Sequence, residues 1–262
     1  MKRILILTVT LVLFVLPGLL HAGDGSWDHV KKDDKLVIGL DDSFPPMGFK
    51  QDDGKLVGFD IDAAEELGKR LGIKIEWQPT AWDGVILALD AKKFDCIWNG
   101  MTITDERAQQ VLFTNPYIMD GQIIVVKADS KVTGASDLAG KVVGVQKGSS
   151  AVEAVKKLPK SPSEVKEYDA NPKAFLDLES GRLAAVVIDN VSGRYFVATN
   201  PGKYKVLSGF ITKEPFGVAF RKGDEDLKNM VQKTLDQMVA DGTMTRISKK
   251  WFGEDIANPK KW

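Results

Sequence analysis

The sequence predicts an α/β protein organised as two units with a hinge between them. Three observations point there. Short apolar runs alternate with helix-period segments from residue 36 to residue 98, a second series of the same kind runs from 141 to 189, and extended apolar segments at 122–126 and 216–220 stand between and after them. Alternation of strand and helix implies sheets with parallel strands covered by helices, whose ligands bind at the carboxyl ends of the strands.

The elements follow in order. Leu36-Val37-Ile38-Gly39-Leu40 reads as a buried strand, followed by the turn signals Pro45-Pro46 and Gly48. Residues 59–71 carry Ile61, Ala64, Leu67 and Leu71 at helical spacing, with Gly72 placed to end the helix. Residues 73–77 read as a strand, 82–91 as a helix and 94–98 as a strand. After Asn115-Pro116-Tyr117 the extended run 122–126 begins. The second series comprises a strand at 141–145, the loop Gly148-Ser149-Ser150, a helix at 151–158, a strand at 165–168, a helix at 172–180 and an apolar strand at 184–188 ending in Asp189. Residues 216–220 are extended again, and 227–241 is an amphipathic helix through Leu227, Met230, Val231, Leu235 and Met238.

The totals exclude several function classes. Basic residues (36) balance acidic ones (36), so no whole-molecule field favours nucleic acid or an anionic membrane. Met1-Lys2-Arg3, the apolar run from Ile4 to Leu16, the break at Pro17-Gly18 and the small Ala22 have the order of a secretory signal, so residues 1–22 are expected to be a cleaved leader and the protein periplasmic. The apolar run falls short of the roughly 20 residues of a membrane span. The single cysteine, Cys96, lies in the mostly apolar stretch 94–98 and reads as a buried small hydrophobe. With only His21 and His29, a zinc site or histidine-based triad lacks material. No cofactor is expected.

Directly after the third strand stands Asn99-Gly100-Met101-Thr102-Ile103-Thr104-Asp105-Glu106-Arg107. A strand end followed by glycine and hydroxyl residues offers backbone donors, and Arg107 offers a planar fork suited to a carboxylate. Taken alone, such an arginine is more often a solvated or salt-bridged surface residue. The run is one of six in order, with Phe44-Pro45-Pro46-Met47-Gly48-Phe49, Gly58-Phe59-Asp60-Ile61-Asp62, Gly144-Val145-Gln146-Lys147-Gly148-Ser149-Ser150, Phe220-Arg221-Lys222-Gly223 and Lys250-Trp251-Phe252-Gly253. On these stretches the chain resembles the family-3 extracellular solute-binding proteins, the amino-acid receptors of ABC importers, over nearly its whole length after the leader.

The resemblance implies a two-lobed periplasmic binding protein fold of type II, with lobe 1 at 34–117 plus 214–256, lobe 2 at 118–213, two crossover strands and a ligand cleft between. It implies a free amino acid as ligand, permease subunits of an ABC importer as partners, and a monomer. Position by position it assigns Arg107 to the ligand α-carboxylate, with Thr102 and backbone donors at Thr102 and Ser150. Asp189 takes the α-ammonium, with the Gly100 carbonyl and Asn99 beside it. Phe44 and Trp82 sandwich the side chain, Asp41 lines the distal end and Gln146 its edge. The physics agrees: a zwitterion taken out of water needs both charges paired, and Arg107 and Asp189 lie in different lobes, so the ligand itself favours closure. By itself, Asp189 also reads as the N-cap of a helix starting at Asn190.

Ligand identity is less constrained. Asp41 beside two aromatic rings suits a cationic head, with cation–π attraction added, and Asp42 and Asp120 add negative potential. The Gln146 amide suits a neutral polar ligand, whereas an acidic one would need Lys147. The reading leans to arginine or another basic amino acid, with glutamine and cystine next. Two rival classes are a periplasmic dehydratase acting on cyclohexadienyl acids such as arogenate, which needs a general acid from Asp41, Asp42 or Asp189, and a sensor that docks on a membrane receptor.

Overall fold

The structure is a computed structural model and describes residues 23–257. The leader assigned to residues 1–22 and the chain end from 258 lie outside the described residues. Two five-stranded sheets form two lobes. The first has the order Lys74–Pro79, Lys35–Leu40, Cys96–Ile97, Ala219–Arg221, Val111–Phe113. Lys35–Leu40 is parallel to both Lys74–Pro79 and Cys96–Ile97, because helices Phe59–Leu71 and Val85–Asp90 each carry the chain back before the next strand. The first of these helices buries Phe59, Ala64 and Leu67 against the sheet and ends at Gly72 in the left-handed conformation, φ 69°.

The second sheet has the order Glu164–Tyr168, Val142–Gln146, Ala185–Asp189, Gln122–Lys127, Tyr204–Val206. Its alternation sorts side chains cleanly. Ile124, Val126, Val143, Val145 and Val187 join one apolar cluster with helix Ala151–Lys156, while Ile123, Val125, Val186 and Ile188 join another with helix Asn171–Glu179.

The lobes are joined by Ile118–Asp120 and Glu214–Phe216, which run antiparallel side by side with Glu214 opposite Asp120. Here the structure departs from the sequence reading. The extended run 216–220 is two short strands, because Gly217 N donates to Met101 O (2.9 Å) and Val218 N donates to Thr114 Oγ1 (3.0 Å), turning the chain from the crossover into the first sheet. Ala219–Arg221 therefore arrives antiparallel to both its neighbours, and the first sheet is mixed. Other elements escape the periodic pattern because they are short or lean on neighbours: strands Ser43–Phe44, Gly48–Lys50 and Leu56–Val57, and helices Ser26–Asp33, Asp105–Gln110, Asn190–Thr199 and Thr243–Phe252. Cys96 is fully buried, and desolvation pushes its thiol well above its ordinary value, as suits a packing residue.

Candidate functional site

The carboxyl ends of four strands face one another across the interlobe cleft: Leu40 leads to Asp41, Ile97 to Asn99 and Gly100, while Gln146 and Asp189 end their own strands. In the first lobe Asp41 N donates to Asn99 Oδ1 (3.1 Å), and Asp41 Oδ1 accepts from Ser43 N (2.9 Å) and Ser43 Oγ (2.6 Å). Gly100 adopts φ 56°, and a Cβ there would lie 2.8 Å from Phe44 Cε1, so glycine lets the backbone reach the ring that forms the cleft wall. Its amide is held by the fully buried Asp60, whose carboxylate accepts from Gly100 N (2.7 Å), Trp98 Nε1 (3.1 Å) and Tyr117 OH (3.1 Å). Burial pushes Asp60 up to about 7 despite those three donors. Its sequence signal was membership of the Gly58–Asp62 motif alone.

Arg107 lies in the first turns of helix Asp105–Gln110, which Thr104 caps by accepting Arg107 N at 3.1 Å. Arg107 Nη1 donates to Thr102 O (2.9 Å) and Nη2 to Gly148 O of the other lobe (3.0 Å), and the guanidinium sits 5.7 Å from the Trp82 ring centre. The other N–H groups of the fork are left to donate. Desolvation lowers Arg107 from its ordinary value, opposed by Asp189, Glu214 and Glu106, and it stays charged at neutral pH. Beside it Thr102 Oγ1 and Ser150 Oγ meet across the cleft at 3.2 Å.

Asp189 ends its strand immediately before helix Asn190–Thr199, yet its side chain makes no capping hydrogen bond. Instead Oδ1 accepts from Gln122 Nε2 (2.7 Å), and the same amide group donates to Ser150 Oγ (3.1 Å). Gln122, which the sequence reading did not assign, holds Asp189 and Ser150 from outside the cavity lining. Its signal was a polar side chain opening the apolar run 122–126, where it pairs in register with Asp189. Burial pushes Asp189 well above the usual carboxylate range, and Asp120 and Glu214 push further, while Gln122 and Arg107 pull it back. Asp120 itself is raised to about 7 by burial and serves the start of the same helix, accepting from the backbone Val191 N (3.5 Å) and from Asn190 Nδ2 (3.1 Å). Three carboxylates thus gather where one guanidinium is the nearby cation, and an ammonium beside Asp189 would favour its charged form.

At the distal end Gln146 Nε2 reaches across the cleft to Asp41 Oδ2 (2.6 Å), while Gln146 Oε1 accepts from Asn171 Nδ2 (3.2 Å). Lys147 pairs with Asp83 at 2.7 Å on the cleft edge, so the one base that an acidic ligand would use is engaged elsewhere. All ten residues assigned from sequence line a single cavity, joined by Ser149. Among the described residues no cluster of three His, Cys, Asp or Glu side chains is placed to hold a metal ion.

The comparisons with known proteins agree with this architecture. The chain is 36% identical over 237 residues to the L-cystine-binding protein TcyJ of Escherichia coli (strain K12), covering 90% of this chain and 89% of that one. It is 36% identical over 233 residues to the L-arginine-binding protein of Pseudomonas aeruginosa, covering 86% and 90%. Among solved structures, an ABC uptake transporter substrate binding protein from Streptococcus pneumoniae with bound histidine superposes with a TM-score of 0.84 at 36% identity, over 90% of this chain and 99% of that one. Residues 36–254 match the family described as bacterial extracellular solute-binding proteins, family 3. With a match over most of its length, relatives above 30% identity and the two-lobed fold, the chain belongs to that family.

Proposed function

We propose that the protein captures a free amino acid between its lobes, preferring a basic side chain, and delivers it to the permease subunits of an ABC importer. The observation that carries this reading is the opposition of Arg107 and Asp189 across one cleft, a cationic fork from one lobe and a carboxylate from the other. The ligand carboxylate lies on Arg107, Thr102 and Ser150, its ammonium on Asp189 with Asn99 and the Gly100 carbonyl, and its side chain runs between Phe44 and Trp82 towards Asp41 and Gln146. A ligand touching both lobes stabilises the closed form by its differential affinity for it. The lobes are drawn at 34–117 plus 214–256 and at 118–213, and the working compartment is the periplasm, reached through the leader at residues 1–22.

The names of the relatives, which are receptors for cystine and arginine, support amino-acid capture. The preference for a basic ligand is supported by Asp41 at the distal end and by the engagement of Lys147 with Asp83. One observation favours the dehydratase reading: burial raises the Asp189 carboxyl, the direction that suits a general acid. Against it, Asp189 is where an amino acid's ammonium fits, and the relatives compared are named as binding proteins.

The test is a calorimetric screen of refolded protein against the common amino acids with ornithine, citrulline and cystine. A hit that Arg107→Ala and Asp189→Ala both weaken supports the reading. Affinity unchanged in both variants sinks it, and aromatic product from prephenate or arogenate would replace it with the dehydratase.

A further inference from the structure

Asp41, Gln146 and Asn171 form a chain of buried polar groups, 8%, 4% and 2% exposed. The partners dictate how each amide faces. Asp41 Oδ2 and the Asp169 carbonyl are acceptors, at 2.6 and 3.3 Å, so the edge of Gln146 towards them is its NH2 group. Its oxygen then faces Asn171, whose NH2 group donates to it. Asn171 stands behind Gln146 as the first residue of helix Asn171–Glu179, with Pro172 next to it, so its backbone is fixed and its amide is the movable part.

We propose that Asn171 is a specificity-determining residue: by supporting the Gln146 amide in either orientation, it lets the distal end of the cleft take both cationic and neutral amide- or ureido-ended amino acids. The inference rests on the amino-acid reading above and names the ligand range of that same site. A neutral amide or ureido group brings a donor for Asp41 and a carbonyl for the Gln146 NH2 group, which matches the orientation in the structure. A guanidinium or ammonium brings donors alone, so Gln146 must turn its oxygen to the ligand and its NH2 group to Asn171. A buried donor left facing a donor costs about 1–3 kcal/mol. Asparagine removes that cost by turning its own amide to present its oxygen. An apolar residue at 171 supports neither orientation, and an aspartate supports the cation-ready one alone.

The experiment titrates refolded protein calorimetrically with L-arginine and with L-citrulline, which matches arginine in length but ends in a neutral ureido group. The unaltered chain is expected to bind both, with Kd values within roughly tenfold, about 1.4 kcal/mol. Asn171→Asp is expected to increase the preference for arginine about tenfold, one hydrogen bond's difference, and an acidic residue is tolerated in a helix's first turn. Asn171→Ala, which adds no charge and supports neither orientation, should weaken both ligands alike, and that loss serves if the aspartate variant does not fold. In a Gln146→Leu background both effects should vanish. Effects of the same size with and without the Gln146 amide overturn the proposal, and so does an unaltered chain that binds arginine while excluding citrulline. Binding of neither ligand, or of any other amino acid, would instead remove the amino-acid reading itself.

Discussion

A Cβ built on Gly148 would lie 2.7 Å from the Cα of Asp83, so the two lobes meet at the cleft edge backbone against backbone. Gly148 also has φ 73°, which a larger residue adopts at a cost of about 1 kcal/mol. Gly148→Ala is therefore expected to hold the lobes apart while leaving each one folded. Ligand affinity should fall at least tenfold, whereas the melting temperature of ligand-free protein should drop by only a few degrees. Calorimetry and thermal melts on the same preparation check this, and unaltered affinity would mean that the close approach is dispensable for closure.

The neighbouring ion pair should matter far less. Lys147 and Asp83 approach to 2.7 Å, but their side chains are 54% and 36% exposed. Water and salt screen such a pair to less than about 1 kcal/mol. Lys147→Ala is expected to weaken ligand binding by no more than about fivefold, with the difference shrinking at high ionic strength. Titrations in low and high salt decide it.

Gln122 ties Asp189 to Ser150 and so joins the groups proposed to hold the ligand's ammonium and carboxylate. Gln122→Leu keeps the bulk and removes the donor, leaving a buried carboxyl without that partner. Ligand affinity is expected to fall by about tenfold, one charge-assisted hydrogen bond's worth, with stability less affected. The readout is Kd by calorimetry with a melt as control, and Gln122→Glu should be worse, because it sets a second carboxylate against Asp189.

Asp60 and Asp120 predict how stability follows pH. Both carboxyls are raised to about 7 from 3.8 by burial. A carboxyl that holds its proton more tightly folded than unfolded contributes stability that is complete below the unfolded value and lost as pH rises through the folded one. Each shift corresponds to a change on the order of 4 kcal/mol between about pH 4 and pH 7. Asp241, lowered to about 2 by its hydrogen bond with Arg70, acts in the opposite direction below pH 4. Denaturant unfolding is expected to show these carboxyls lowering stability from about pH 4 to pH 7 and levelling off above, with a shallower slope in Asp60→Asn. An identical slope in that variant would exclude Asp60 as a source.

The parts legible in sequence were those where local pattern and place in the chain coincide. Strands with continuous apolar character deliver Asp41, Asn99, Gln146 and Asp189 to the cleft because strand ends are visible as the point where apolar runs stop. Gln122 and Asn171 were not legible, since their roles arise from partners 67 and 25 residues away. Asp189 alone could be read as a helix cap, but the structure bonds its carboxylate to Gln122 while Asp120 accepts from the helix backbone. The mixed first sheet was hidden for a similar reason: the direction of Ala219–Arg221 is set by the crossover and leaves no trace in the apolar run 216–220.

That late strand also sets an order of assembly. Every strand of the second sheet lies between residues 122 and 206, so this lobe can condense from one contiguous stretch. The first sheet is interrupted until residues 219–221 arrive to join Cys96–Ile97 with Val111–Phe113, and until then both of those strands offer bare edges. Contacts that span so much chain form slowly. The half that carries Arg107 is expected to finish last, and a chain cut short after residue 213 would keep a completed second lobe attached to an open, association-prone first one.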